Sequence, residues 1–162
     1  MADEDATMEG SFFFYSGKIG EAGTGINFAN INTGDDLIDQ LITGVDASWD
    51  IDSFNIALEY YSFNNDSLIA AQETHTGTAY YLQGTWQASE SVKIIVRQEE
   101  LDFDSNDNYF QLLGASPGSK SLIALRYDLT ETNALKFEFN RSTPAIGSSE
   151  TSFAVEWAFL MF

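Results

Sequence analysis

Thr151-Ser-Phe-Ala-Val-Glu-Trp-Ala-Phe-Leu-Met-Phe162 is the stretch that decides the fold. Phe153, Val155, Trp157, Phe159 and Met161 recur at every second position, so an extended strand would carry them all on one face. A strand in water gains little from so much unbroken apolar surface, whereas a strand with one side against lipid does. The nature of the solvent, water or bilayer, therefore comes before any chemistry.

The same period of two recurs upstream. Val45, Ala47, Trp49 and Ile51 alternate with Asp46, Ser48 and Asp50. Phe54, Ile56, Leu58 and Tyr60 alternate with Asn55, Ala57 and Glu59. Tyr80, Leu82, Gly84 and Trp86 form a third run, and Val92, Ile94 and Val96 a fourth. Ile123, Leu125, Tyr127 and Leu129, then Leu135, Phe137 and Phe139, form two more. With Met8–Lys18 and Thr151–Phe162 these predict eight strands. Phe12-Phe-Phe-Tyr15 in the first does not alternate.

The connections carry a repeat of their own. Trp49-Asp-Ile-Asp-Ser-Phe54, Trp86-Gln-Ala-Ser-Glu-Ser-Val92 and Tyr127-Asp-Leu-Thr-Glu-Thr-Asn-Ala-Leu135 each pass from an aromatic to a small polar turn and into a strand. Short turns are expected near 52–53, 89–91 and 130–133. Long polar loops are expected near 19–40, 64–77, 104–119 and 142–150, with Pro117 and Pro144 inside them. In the first loop, Leu37, Ile38, Leu41 and Ile42 follow Asp35 at helical spacing and predict up to two turns of helix. Residues 1–7 read as a disordered or non-native lead, and 8–162 as one barrel. Both termini fall on the short-turn side, the layout of an antiparallel up-and-down transmembrane β-barrel.

Composition narrows the function classes. The chain has 162 residues, 25 acids, 7 bases and a formal charge of −18, so it lacks the basic surface that nucleic acid requires. Cysteine is absent, which excludes disulfides, thiolate metal sites and a cysteine nucleophile. No apolar run is long enough for a membrane helix. Met1-Ala-Asp-Glu-Asp5 lacks the basic start and apolar stretch of a signal peptide. A mean hydropathy of −0.16 suits a soluble protein, but an alternating barrel looks the same on that scale.

Alternation alone leaves two barrels open: soluble with the apolar face inside, or membrane-embedded with it outside. Trp49, Trp86 and Tyr127 stand just before the three short turns, where a girdle of half-solvated rings marks a lipid boundary. Trp157 joins them on the last strand. These positions, and strands long enough to cross a bilayer when tilted, favour the membrane.

Arg126-Tyr-Asp-Leu-Thr-Glu-Thr-Asn-Ala-Leu-Lys-Phe-Glu-Phe-Asn-Arg141 followed by Phe153-Ala-Val-Glu-Trp-Ala-Phe-Leu-Met-Phe162 resembles the closing hairpin and final strand of Gram-negative porins. The resemblance is specific over about the last forty residues and architectural elsewhere, and the chain is about half a porin's length. It implies a bacterial outer-membrane location with both termini periplasmic, a lipid environment, and Phe162 as the signal read by barrel-assembly machinery. Phe162 stands out of phase with Phe153 to Phe159, where the family keeps it in phase.

The polar face supplies the candidate chemistry. Lys93, Arg97, Arg126, Lys136 and Arg141 form a basic group on three consecutive strands, and Asp46, Asp50, Glu59, Asp128, Glu138 and Glu156 the acidic one. A turn at Glu131 sets Arg126 opposite Lys136, a repulsive pair that Asp128, Glu138 and Glu99 would relieve. Two readings stand: an interior salt-bridge network, or a basic wall that draws anionic solutes. An eight-stranded barrel is nearly filled by its own side chains, so conduction needs more strands, from further copies of the chain or a complementary segment. Asp102, Asp104 and Asp107 begin a calcium-loop pattern but lack its glycine and closing glutamate, so no metal is assigned. His75 is the only histidine and has no nucleophile at a catalytic spacing, so no enzyme and no cofactor are expected. The expected function is porin-like: passive passage of small solutes through a charged lumen. A small closed barrel acting structurally or adhesively through acidic loops, and a soluble lipocalin-like carrier of apolar ligands, are the alternatives.

Overall fold

The computed structural model describes residues 6–20, 36–68, 73–107, 109–110 and 117–159. The strands are β1 (Thr7–Gly20), β2 (Asp36–Ile51), β3 (Phe54–Ser67), β4 (Thr74–Ser89), β5 (Val92–Phe103), β6 (Gly118–Thr130), β7 (Asn133–Pro144) and β8 (Glu150–Phe159). All eight form one antiparallel sheet in sequence order, with β1 and β8 at its edges. The up-and-down expectation holds at that level; the sheet is open, not closed on itself.

Three two-residue turns join β2–β3, β4–β5 and β6–β7 at Asp52–Ser53, Glu90–Ser91 and Glu131–Thr132. Asp52 takes the left-handed conformation (φ 50°). Aspartate tolerates that region better than most residues, because its short polar side chain can bond locally. The other connections are shorter than the sequence suggests, because the strands run on into them: β3 to Ser67, β4 from Thr74, and β7 to Pro144. Pro144 pairs with Gly118 as the last residue of its strand.

The helix expected around Leu37–Ile42 is replaced by strand. Ile38, Leu41 and Ile42 lie in β2, paired on one side to Ile19, Ser16 and Tyr15 and on the other to Ser67, Asn64 and Phe63. Two ladders satisfy this backbone on both sides, and Ile38, Ile42, Thr43 and Val45 are β-branched, which outweighs a short helical spacing. Asp35 lies outside the described residues.

The two faces are inverted relative to a protein in water. On β3 the apolar positions Phe54, Ile56, Leu58 and Tyr60 are exposed, while Asn55, Ala57, Glu59 and Tyr61 between them are sheltered. Trp157 and Phe153 are each 65% exposed, whereas Glu138 on the other face is 9% exposed. The break in alternation at Phe12–Tyr15 has a local cause. Phe12 and Phe14 stay on the apolar face, and Phe13 turns to the polar face, edge-on to Tyr61 at 6.3 Å. Gly44 lies between them in the ladder, and a Cβ there would sit 2.5 Å from the Tyr61 ring.

The apolar band crosses the ladder obliquely. One row of paired residues runs Met8, Trp49, Ile56, Gly84, Val96, Ile123, Phe139, Phe153. Met8 is the short-turn end of the apolar run in β1, and Phe153 is the long-loop end of the run in β8. The band thus descends about 20 Å along the strands over about 34 Å of sheet, an angle of roughly 30° to the hydrogen-bond direction.

Candidate functional site

The sheltered polar face holds a hollow of about 460 Å³ that spans β3 to β7. Five successive strands lining one hollow require the sheet to curl toward this face. Glu59, Tyr61, Tyr81, Arg97, Glu99 and Lys120 supply its polar lining.

On β2 and β3 the carboxylates meet neutral donors. Asn55 Nδ2 donates to Asp50 Oδ1 at 2.8 Å, and the Ser11 hydroxyl donates to Asp46. Glu59 receives two phenols, Tyr81 at 2.7 Å and Tyr61 at 3.1 Å. None of these three acids has a basic partner within 4.0 Å among the described residues.

On β5 to β7 the rule is different. Lys93, Arg126 and Lys136 face one another across three strands in a single row. Directly opposed like charges destabilise a ladder unless carboxylates intervene. Here each intervening carboxylate sits two residues further along the same strand. Arg126 Nε lies 2.7 Å from Asp128, Lys136 Nζ lies 2.7 Å from Glu138, and Arg97 Nε lies 2.8 Å from Glu99. The Arg97 contact is ionic rather than a directed hydrogen bond, and its guanidinium also lies 4.1 Å above the Tyr81 ring. Lys136 reaches Glu156 as well, at 3.5 Å. The opposition of Arg126 and Lys136, and relief by Asp128 and Glu138, follow the sequence expectation, whereas Glu99 pairs with Arg97 and lies opposite Lys120 instead.

Arg141 does not belong to this group. It follows Asn140, so it falls on the apolar face, paired with Ser121 and Thr151. The fifth base of the polar face is Lys120, paired with Glu99. A loop expected to reach residue 119 leaves Lys120 outside the alternating run that begins at Leu122 and Ile123. Among the described residues, Lys93 and Lys120 have no ion pair within 4.0 Å.

At the long-loop end, the segment after β5 returns over the polar face. Phe110 stacks on Phe103 at 4.1 Å and meets Phe63 edge-on at 5.5 Å. Gly77 leaves room for it, since a Cβ there would lie 3.2 Å from the Phe110 ring. Beside the rings runs a buried polar chain: Gln40 Nε2 donates to Asn65 Oδ1 at 2.8 Å, and Asn65 Nδ2 donates to Asp107 Oδ2 at 2.7 Å. Asp107 Oδ1 accepts from the Tyr109 amide at 2.9 Å, so both its oxygens hold the segment in place. Asp104 accepts from the Asn106 amide at 2.9 Å and faces His75 Nδ1 at 3.1 Å. That amide first, and His75 second, hold the Asp104 carboxyl below the usual aspartate range. Asp102 lies on the opposite face, opposite Thr78, so the three aspartates do not converge. Among the described residues no group of three His, Cys, Asp or Glu side chains could hold a metal. The apolar cluster Tyr109-Phe110-Gln-Leu-Leu113, inside the loop expected at 104–119, was the available sequence signal for this cover.

The four aromatics expected at a lipid boundary all lie on the exposed apolar face. Trp86 stacks on Phe54 at 6.1 Å, Trp49 stands between Met8 and Ile56, Tyr127 between Val92 and Leu135, and Trp157 opposite Leu135. Trp49, Trp86 and Tyr127 step down two residues at a time from β2 to β4 to β6, parallel to the oblique band. Phe162 lies outside the described residues. No known protein family, curated protein or solved structure matches the chain.

Proposed function

We propose that the chain forms the wall of a β-barrel in a bacterial outer membrane and that small polar solutes pass along its charged inner face. The observation that carries this reading is the inversion of the faces: a continuous exposed apolar surface backs a sheltered polar one. A carrier of apolar ligands in water needs the opposite arrangement, with the apolar side sheltered. The obliquity of the band gives independent support. A bilayer boundary is a plane, so strands tilted against it carry their apolar residues along an oblique line. The angle of roughly 30° approaches the tilt of about 35–45° in transmembrane barrels. The aromatics that follow the same line are then at one depth, as a girdle requires. The surrounding partners are outer-membrane lipid and the barrel-assembly machinery, with both termini periplasmic. The role is transport without catalysis, and no cofactor takes part.

Two measurements test the reading. A lipid-borne quencher should reach Trp49, Trp86 and Trp157 in protein folded into vesicles. Reconstitution in a planar bilayer should give ohmic conductance steps. Stable folding in water without detergent defeats the membrane reading, and silence in the bilayer defeats the pore.

A further inference from the structure

Among the described residues the sheet offers two unpaired edges with both faces open over most of their length: Met8 to Ser16 on β1 are all exposed, as are nearly all of Glu150 to Phe159 on β8. In lipid such an edge leaves backbone N–H and C=O groups without partners, so a membrane wall cannot stop there. Eight alternating strands make β1 and β8 opposite in direction. β8 of one sheet can therefore meet β1 of an identical sheet in the same antiparallel geometry as every pair within it.

The oblique band sets the register of that join. Carried one strand further, it places Phe159 opposite Met8, Trp157 opposite Gly10, Val155 opposite Phe12 and Phe153 opposite Phe14. On the polar face, Ala158 then falls opposite Glu9, Glu156 opposite Ser11 and Ala154 opposite Phe13. Trp157 meets Gly10 and Phe13 meets Ala154, Phe153 stands beside Phe14 on the apolar face, and no like charges face each other. Closure of one chain on itself is opposed by what the inner face carries. An eight-stranded barrel is filled by its own side chains, yet this face also accommodates Asp107 and Phe110 of the returning segment.

We propose that two copies of the chain join β8 to β1 at both edges and close a sixteen-stranded barrel, each contributing one hollow and one inward segment. The proposal rests on the membrane reading above.

The absence of cysteine makes the test direct. Ser11→Cys and Glu156→Cys are introduced into separate chains, which are mixed, folded together in detergent micelles and oxidised. The expected result is a shift to a reducible band of twice the monomer mass that contains one of each variant. Ala154→Cys in place of Glu156→Cys, two residues out of register, should lose that band. Glu9→Cys with Ala158→Cys probes the same register should Ser11→Cys fail to fold. No cross-link between copies from either pair overturns the proposal. So does a cross-linked monomer from a chain carrying both Ser11→Cys and Glu156→Cys, because that is self-closure. Lipid quenching of the tryptophans without a cross-link between copies removes this pairing alone, whereas folding in water without detergent removes the membrane reading itself.

Discussion

The two halves of the polar face hold their acids and bases with different partners. On β2 and β3, Asp46, Asp50 and Glu59 are held by hydroxyl and amide donors, with no base among their partners. On β5 to β7, Arg97, Arg126 and Lys136 each have a carboxylate two residues along the same strand. A neutral donor holds a carboxylate in place and leaves its field intact, while an ion pair cancels most of it. Of the acidic half, Glu59 reaches the hollow without a basic partner. Of the bases outside ion pairs among the described residues, Lys120 lines the hollow and Lys93 does not. Charge count alone would have made β5 to β7 the dominant wall; the pairing pattern removes that dominance.

The largest expected effect breaks the paired half. Glu138 is buried and is the nearest partner of Lys136, which stands in a row with Arg126 and Lys93. Glu138→Gln should lower the unfolding free energy in micelles by about 2 kcal/mol, since it strands a half-buried cation among like charges. Glu156→Gln should cost under about 0.5 kcal/mol in the same urea titration, because its side chain is 61% exposed and screened. Equal effects would remove the distinction between paired and solvated carboxylates.

The next tests the acidic half. Glu59→Gln exchanges a charged acceptor of two phenols for a neutral one and should cost about 1 kcal/mol. In a reconstituted pore it should also move the reversal potential in a salt gradient toward anions. Lys93→Gln combined with Lys120→Gln should move it toward cations. Shifts in the same direction would contradict the two-wall picture.

The returning segment lies over the long-loop end of both halves and should respond to acid. The Asp104 carboxyl titrates below its ordinary value of about 3.9, so its stabilising contribution is complete above that value and is lost as pH falls through the lowered one. Protection of the Asn106 and Asp107 amides against exchange, relative to the free-chain rate at each pH, should be high at neutral pH and fall below about pH 4. Asp104→Asn should remove that pH dependence. A last variant serves as a control on conductance. Asp52→Ala forces a left-handed turn position on alanine and should cost about 1 kcal/mol at most. It should leave the reversal potential unchanged, because the turn is remote from the hollow.

Period-two alternation was legible for all of β3 to β8, because each strand has one apolar face and a turn of small polar residues before the next. The register of the β6–β7 hairpin was legible for the same reason: a short turn leaves few ways to pair, so Arg126 and Lys136 had to meet. Where turns are long, this constraint weakens. Asp36–Thr43 imitated a helix because nothing local announces that β1 and β3 will flank it. Arg141 was misplaced because five bases close in sequence suggested one cluster, although its phase against Asn140 already assigned it to the apolar face.

The sequence by itself determined eight strands, their direction and the composition of each face, since these follow from local periodicity and turn chemistry. Only the tertiary structure decided which side is sheltered. It also decided that Glu59 gathers phenols from β3 and β4, that Lys120 rather than Arg141 completes the basic wall, and that Phe110 returns across the face. Each depends on ladder register between residues far apart in the chain and on the curl of the assembled sheet. A residue's own neighbours in sequence carry neither.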